Sequence, residues 1–401
     1  MDTVPQNPRR SRCYECYSQV FDELGEPQCF DSYRELVKYS TELGRRIAEC
    51  ILEDKRVDVI VAPAKGRPGG KWEFRCAPRD FAAIVLAKLW RLTKEFNPDT
   101  LVIDVTHGIN YMPTEVVYAA RWLLSLYLLK KIFSEENGNL KGLELVIVNS
   151  DPYPLSTEGR PSLSLNLVYR EKVRTITKLS AIPRQLVKPL RKLEPDLERK
   201  LNELNHLYRL SAAYPYAFMI TPMPLALYRA CSEQRRVADR DLVKEAISLW
   251  ITMTEVKNVD VDHLLRLSPE AVYVHDASRE VCNRVGGRHG EEEGVDIGYL
   301  FSSIARIYSV VDEVYEVLVN TELGKLKKDI ENRGGGWLRL CELYGECKKR
   351  EQMDKRTAFA HAGLQSEFVE INPVNNKIRY VKSVTIEKLM TWLGISLEEP
   401  L

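Results

Sequence analysis

Three short apolar runs alternate with two amphipathic runs in the front part of the chain. The runs Val57–Ala62, Leu101–Val105 and Leu143–Asn149 are rich in β-branched residues, a pattern typical of buried strands. Between them, Arg79–Thr93 and Glu115–Phe133 carry apolar residues at helical spacing. Strands that alternate with helices in this way predict right-handed crossovers and an α/β fold with a parallel sheet.

Two further elements flank this alternation. Tyr33–Leu52 has helical spacing and follows residues that can cap a helix, whereas residues 1–30 show no clear period. Ser162–Tyr169 alternates apolar and polar residues and predicts an edge strand or a hairpin arm. Lys172–Arg199, rich in Lys, Arg and Pro, is typical of a linker, although a solvated surface would have the same composition.

The back half is predicted to be mainly helical. Its predicted helices lie at residues 201–212, 224–236, 240–256, 297–322, 324–332, 337–361 and 385–393. Phe368–Ile371 and Lys377–Val381 flank a turn-forming stretch and predict a small β-hairpin. We therefore predict an α/β domain at 1–172, a linker at 173–200 and an all-α domain with a hairpin at 201–401.

Composition limits the classes of function. The 58 Lys and Arg residues nearly balance the 57 Asp and Glu residues, so any contact with nucleic acid must come from a local patch. The apolar runs are shorter than the roughly 20 residues that span a bilayer, and the polar N-terminus is unlike a signal peptide. We therefore expect a cytoplasmic protein that does not enter membranes.

Cysteine usage points the same way. Nine cysteines scattered through the chain predict reduced thiols rather than a disulfide framework. Cys13 and Cys16 form one CxxC, but no second pair has ligand spacing. Because a structural zinc site needs four ligands, we predict no metal site.

Two polar loops follow predicted strands at one edge of the sheet. The first runs from Thr106 to Asn110 and precedes Pro113, which can open a helix whose free N–H groups favour an anion. It combines a hydroxyl, an imidazole and an amide, whereas a purely structural turn needs only Gly and Asn. The second, from Pro63 to Gly70, is glycine-rich and basic. These loops predict an anion site, and the alternative is a pair of structural turns without a ligand.

A second candidate site lies within residues 355–363, KRTAFAHAG. Arg356 and His361 are five positions apart, which is about 140° around a helix, so one copy does not bring both groups to one point of its own surface. A site that uses both would form against a second surface, most simply that of a symmetry mate. The alternative is an unassociated histidine near a helix C-cap, with Gly363 as the left-handed stop.

These motifs resemble two known domain families. RTAFAHAGL is similar to the R-x4-6-H motif of HEPN ribonucleases, and IDVTHGINYMP together with VIVAPAKG resembles the nucleotide-sensing loops of CARF domains. A Rossmann-like sensor followed by a helical domain, with the motifs in this order, resembles the CARF–HEPN effectors of type III CRISPR systems, most closely the archaeal kind. Thr357 departs from the family pattern, which usually has a more strongly polar residue after the Arg.

The resemblance implies a metal-independent, single-stranded RNA endonuclease of antiviral defence, switched on by a cyclic oligoadenylate, most simply the tetra-adenylate. It implies a homodimer, which could assemble further, and no cofactor other than this activator. Arg356 and His361 would be catalytic and would leave a 2′,3′-cyclic phosphate. The residues implied to contact the activator are Thr106, His107, Gly108, Asn110, Ala64, Lys65 and Gly66.

Three other functions compete with this interpretation. In a nucleotide-responsive transcription regulator, Asp241–Leu267 would be a helix-turn-helix, but its second half, Val256–Leu267, is mixed and acidic rather than basic. A catalytically silent binding protein would have Thr357 as a sign of decay. A dinucleotide oxidoreductase is disfavoured because no GxGxxG follows a strand.

Overall fold

A computed structural model describes residues 12–25, 29–52, 55, 57–67, 72–106, 111–134, 142–151, 164–234, 240–285, 293–331, 333–345 and 347–398. The helices in these ranges are α1 Arg12–Leu24, α2 Tyr33–Leu52, α3 Pro78–Thr93, α4 Met112–Ser134, α5 Pro195–Tyr208, α6 Tyr214–Met219, α7 Pro224–Gln234, α8 Leu242–Thr252, α9 Pro269–Val285, α10 Ile297–Tyr299, α11 Glu313–Ile330, α12 Leu340–Leu343, α13 Lys355–Ala360 and α14 Ile386–Leu393. The strands are β1 Lys65–Gly66, β2 Glu73–Arg75, β3 Thr100–Asp104, β4 Leu143–Ser150, β5 Leu165–Val173, β6 Ile182–Pro183, β7 Val187–Pro189, β8 Thr254–Lys257, β9 Asp260–His263, β10 Leu265–Leu267, β11 Val295–Asp296, β12 Leu338–Arg339, β13 Val369–Asn372, β14 Lys377–Tyr380 and β15 Leu397–Glu398. No described helix is both long enough and apolar enough to cross a bilayer.

The front sheet consists of β3, β4 and β5. Strands β3 and β4 are parallel, as predicted, and β5 lies antiparallel at the edge of β4. Helix α4, which begins three residues before its predicted start, packs against α3 and α9. The buried face of α4 is almost continuous from Ala119 to Leu129, because it is covered from more than one side. These elements confirm the predicted α/β character of the front half.

The strand predicted at Val57–Ala62 is wrong. Residues 57–64 form no strand hydrogen bonds, and Val59 packs against Gly44 of α2. The strand pairing begins only at β1, which lies antiparallel to β2, and β2 in turn pairs in parallel with β9. The second loop therefore belongs to the separate sheet β1-β2-β9-β8 rather than to the edge of the front sheet.

The prediction of reduced thiols is also wrong. Among the described residues, disulfides link α1 to α2 (Cys16–Cys50), α7 to α9 (Cys231–Cys282) and α12 to the segment that follows it (Cys341–Cys347), which closes a short disulfide loop. The paired Cα atoms lie 4.8–5.7 Å apart, a normal separation for such bonds. Helix α1, which lies within the aperiodic residues 1–30, buries Cys16 and Val20. So small a buried face leaves little periodic signal.

Helix boundaries in the back half differ from the prediction at several places, and α9 lies in a segment where no helix was predicted. The predicted 297–322 helix is divided by Asp312, whose extended backbone and carboxylate cap the start of α11, and α11 then runs through the predicted break near 323. The predicted 337–361 helix is two short helices, α12 and α13. Gly345 adopts a left-handed φ of 87° after α12, and Asp354 caps the start of α13.

The helix-turn-helix alternative is excluded by the structure of Val256–Leu267. This segment contains the end of β8 together with β9 and β10, and only the preceding α8 is helical. A recognition helix is therefore absent from this described segment.

The predicted hairpin is confirmed as β13 and β14, which join β11 and β12 in an antiparallel four-stranded sheet. The predicted class, α/β in front and mainly helical behind, is confirmed. A single buried cluster extends from Tyr33 in α2 to Leu393 in α14. It includes Ile182 and Leu186 from the predicted linker.

Candidate functional site

Thr106 lies where the two parallel strands of the front sheet end. Its backbone N–H donates to Asp104 Oδ1 over 2.8 Å, and its hydroxyl donates to the same oxygen. The hydroxyl also accepts from the Ser150 N–H at the end of β4, over 2.9 Å. Thr106 therefore joins the carboxyl ends of β3 and β4 and fixes the start of the first loop. His107, Gly108 and Asn110 lie outside the described residues.

The second loop presents an exposed backbone turn. Lys65 and Gly66 are exposed and Ala64 is half-buried. Gly66 has a φ of 116°, a conformation that a side chain would strain, so glycine suits this position. The loop is anchored because Lys65 pairs with Arg75 in β2.

Tyr111 is the residue that follows the first loop in sequence, and it lies near the second loop. The pKa of its hydroxyl is raised to about 12, mainly by burial and also by the Cys76 thiol, while the Lys65 backbone acts in the opposite direction. Its ring meets Phe81 edge-on at 6.0 Å between centroids. Because Tyr111 directly precedes α4 and lies near the Lys65 backbone, it brings the start of α4 close to the second loop.

Tyr111 also lies near a buried carboxyl group, that of Asp80. Asp80, fully buried, accepts from the N–H groups of Leu267 in β10 and Ala77 over 2.7 and 3.3 Å. Burial raises its pKa to about 6, against the lowering effect of these two hydrogen bonds. The neighbouring Cys76 thiol is also buried, and its pKa is raised by burial and by Asp80.

In the back half, His361 is the C-cap of α13. After it, Gly363 has a φ of 77°, as the sequence predicted for a left-handed stop. A Cβ at Gly363 would lie 2.9 Å from Met223 Cε and 3.0 Å from the Tyr380 hydroxyl. The tight turn therefore requires glycine both for conformation and for space, and it leaves the imidazole half-exposed.

A carboxylate from α11 holds the imidazole. His361 Nδ1 lies 2.9 Å from Glu322 Oε2, and Lys325 donates to Glu322 Oε1 over 2.7 Å. The Glu322 side chain is 11 % exposed and that of His361 is 51 % exposed. With Nδ1 donating to the carboxylate, the neutral ring carries its lone pair on Nε2, which can accept a proton from a substrate.

Burial alone would raise the pKa of Glu322. Hydrogen bonds from Lys325 and His361 outweigh that effect, and the pKa of Glu322 is lowered overall. Glu322 is therefore ionised at neutral pH and can stabilise a positive charge on the imidazole.

Beside this pair lies a cleft of about 460 Å³. His361 and Thr357 line one side, and Tyr344 of the disulfide loop lines another. Arg356 is exposed on α13 and is not among the lining residues, whereas Thr357 donates its hydroxyl to the capping Asp354 over 2.7 Å. One copy thus offers a histidine in a cleft and an exposed arginine on the same short helix α13.

Sequence reasoning proposed His361, Arg356 and Thr106 as site residues but did not identify Glu322 or the cleft. Glu322 is 39 positions from His361 and lies on another helix, so no local motif joins them. The available signal in the sequence was the spacing of Glu322 and Lys325, which places them on one face of a helix. Such a pair is also common on solvated helix faces.

The described residues therefore present two candidate sites: Thr106 and the Lys65–Gly66 turn in the front half, and a histidine–carboxylate pair beside a cleft in the back half. A histidine held by a carboxylate beside an open cleft is an arrangement that can transfer protons.

Family models identify both parts. The CARF domain of the CRISPR system endoribonuclease Csx1 matches residues 3–152, and the HEPN domain of the same family matches residues 312–383. The second match contains Glu322, Arg356 and His361. The chain belongs to the CARF–HEPN effector ribonucleases of CRISPR systems. A comparison with curated proteins finds no match.

Proposed function

We propose that this protein is a metal-independent, single-stranded RNA endonuclease of type III CRISPR antiviral defence that a cyclic oligoadenylate activates. The observation that carries the proposal is the 2.9 Å contact between Glu322 and His361 Nδ1 at a cleft inside the HEPN match. This contact orients the imidazole of His361 for proton transfer, which the sequence motif alone does not do.

The mechanism uses the nucleophile that RNA itself carries. His361 Nε2 removes the proton of the 2′-OH, the 2′-oxygen attacks phosphorus, and the 5′-oxygen leaves with a proton from a second acid. Arg356 stabilises the charge on the pentacoordinate phosphorus. The products are a 2′,3′-cyclic phosphate and a 5′-OH, and no step needs a metal.

The second acid comes from a partner copy in a homodimer. Two surfaces support this part of the proposal. In α11, Val314 and Val317 are 70 % and 66 % exposed on the helix that also carries Glu322. In β5, Leu165, Leu167 and Val168 are similarly exposed. Apolar groups of this kind are suited to burial between copies.

The activator binds the loops at Lys65 and Thr106. Lys65 offers an exposed point charge for phosphate, and α4 begins directly after the first loop. Binding must favour the active HEPN pair over the idle pair, because a ligand with equal affinity for both states shifts nothing. Cyclic tetra-adenylate is the proposed ring.

The test is cleavage of a fluorescent single-stranded RNA with tri-, tetra- or hexa-adenylate rings, with and without EDTA. We expect cleavage with tetra-adenylate and no loss of rate in EDTA. Binding of the ring without any cleavage would support a silent binding protein, and cleavage that all rings leave unchanged would contradict activation.

His361→Ala and Arg356→Ala should each reduce cleavage by at least about 10²-fold, since each removes one part of the acid–base and electrostatic catalysis. The matched controls are His206→Ala on α5 and Arg199→Ala, both at exposed positions. Single-turnover cleavage, with sedimentation to verify the oligomeric state, checks the expectation. Full activity of either test variant would remove the site assignment.

A further inference from the structure

The cleft beside His361 has features that catalysis does not use. Its volume of about 460 Å³ falls within the roughly 300–1,000 Å³ of small-molecule pockets. Tyr344, Asp329 and Gln365 line it together with His361. Tyr344 offers an exposed aromatic ring, and Asp329 and Gln365 offer hydrogen-bonding groups. An aromatic ring with such groups can hold an unstacked nucleobase.

The charges in the cleft disfavour a phosphate there. Each basic side chain of the lining already pairs with a carboxylate: Lys325 and His361 with Glu322, and Arg350 with Glu367 over 3.2 Å. No positive charge among the described lining residues is therefore left for a phosphate. A neutral base fits this surface better than the RNA backbone does.

Asp329 supplies an acceptor. The Tyr344 hydroxyl donates to Asp329 Oδ2 over 2.7 Å, whereas Oδ1 has no hydrogen-bond partner among the described residues. This bond also fixes the ring of Tyr344 against the carboxylate. Burial raises the pKa of the Tyr344 hydroxyl and Asp329 raises it further, so the hydroxyl stays protonated and remains the donor.

Gln365 supplies a donor. Its side chain is 2 % exposed, and its Oε1 accepts from the Asp354 N–H over 3.0 Å, which fixes the orientation of the amide. Its Nε2 is buried and has no hydrogen-bond partner within the described part of the chain. A buried donor without an acceptor is costly, and an acceptor atom on a bound base would satisfy it.

We propose that the Tyr344–Asp329–Gln365 cleft binds the base of the nucleotide whose 2′-OH is attacked, and that it prefers a base with an exocyclic amino group. Tyr344 stacks on the base, Asp329 Oδ1 accepts from the amino group and Gln365 Nε2 donates to an acceptor on the base. Uracil fits less well because it has no amino group and places carbonyl oxygens against the carboxylate. This inference rests on the proposed ribonuclease function and adds a substrate preference to it.

The experiment uses DNA oligonucleotides with one ribonucleotide, A, C, G or U, so that the single 2′-OH fixes the cleavage site. The full-length activated protein should show a kcat/KM for U lower by about tenfold or more than that for the best amino-bearing base, as expected for one good base contact. Equal kcat/KM values for all four would overturn the inference while leaving the ribonuclease function in place.

Asp329→Asn sharpens the test. The Tyr344 hydroxyl still needs an oxygen acceptor, so the amide NH₂ should face the cleft and favour a carbonyl of uracil. We expect the preference against U to shrink by about tenfold or to reverse. Glu331→Gln, the same change of charge at an exposed position just after α11, is the control and should keep the preference. An unchanged preference in Asp329→Asn would also overturn the inference.

A binding measurement separates this inference from the parent proposal. Fluorescence anisotropy would compare the binding of 2′-fluoro oligonucleotides that differ at one base. Because these oligonucleotides have no 2′-OH at that position, the measurement does not depend on cleavage. A base preference in binding that Tyr344→Ala abolishes, in a protein that cuts no RNA, would support the base site and refute the ribonuclease function. Binding without preference would overturn the base site. Thermal midpoints of the variants show whether each remains folded.

Discussion

Glu322 gives His361 an orientation that the sequence motif alone does not supply. The carboxylate accepts from Nδ1 and so directs Nε2 outward, and its own lowered pKa keeps it charged at neutral pH. Lys325 shares the carboxylate through its other oxygen. Glu322 is therefore a positioning residue, because it acts on the substrate only through the imidazole.

Glu322→Gln should lower kcat by about 10²-fold with little change in KM, the low end of what general acid–base catalysis contributes. Glu331→Gln, at an exposed position, is the control. An unchanged kcat, with KM also unchanged, would show that Glu322 has only a structural role.

At this scale the sequence shows some site residues and hides others. His361 and Gly363 are recognisable because a helix end and a catalytic motif are local patterns, and the structure gives Gly363 the predicted left-handed φ. Glu322, Asp329 and Tyr344 reach the cleft from α11 and the disulfide loop. Their role depends on tertiary packing, which spacing along the chain does not encode.

At the scale of elements, predictions succeeded where one element is periodic and long. Helices α2, α3 and α4 and the pair β3–β4 follow from apolar spacing. The pairing of β2 with β9 joins residues about 187 positions apart through three residue pairs, a contact without a local pattern. The apolar Val57–Ala62 run has strand composition, yet it forms no strand and its Val59 packs against Gly44 of α2 instead.

Asp80 ties α3 to β10 and makes stability depend on pH. Its pKa is about 6 in the folded chain and about 3.9 in an unfolded one, so between these values the folded state holds the extra proton. The contribution of Asp80 to the free energy of unfolding therefore falls as the pH rises past these two pKa values. The total loss is about 3 kcal/mol.

Asp80→Asn removes that titration. Urea unfolding of wild type and variant between pH 4 and 7 should show a stability difference, wild type minus variant, that declines by about 2 kcal/mol as pH rises. Asp196→Asn, at an exposed position on α5, should give no comparable decline. Parallel curves for Asp80→Asn and wild type would contradict the shifted pKa.

At the scale of the whole molecule, the two matched domains share one core. Neither family model covers residues 153–311, yet this segment supplies α5 to α9, and α9 packs against both α3 and α4 of the front half. Ile176, Ile182 and Leu186 of the predicted linker are buried. The division at 172 and 201 stays a prediction, but the packing implies that the halves are mechanically continuous.

A charged network crosses this continuous core. Arg91 of α3 donates to Asp241, the cap of α8, over 2.6 Å and to Asp276 of α9 over 3.4 Å. Asp276 is 3 % exposed and also contacts His275 Nδ1 at 2.9 Å. A carboxylate so buried depends on its partners, because an unpaired charge in the interior is strongly destabilising.

We therefore expect calorimetry of the ligand-free protein, at fixed concentration, to give one transition whose calorimetric and van't Hoff enthalpies agree. Arg91→Ala should destabilise the chain by about 3 kcal/mol, since Asp276 loses its guanidinium partner, and should lower that transition as a whole. Arg199→Ala, whose side chain is 78 % exposed, is the control and should change little. Two separate transitions in wild type, or a front-half transition alone shifted by Arg91→Ala, would show that sensor and nuclease fold as independent units. In that case the shared core could not transmit activator binding between them.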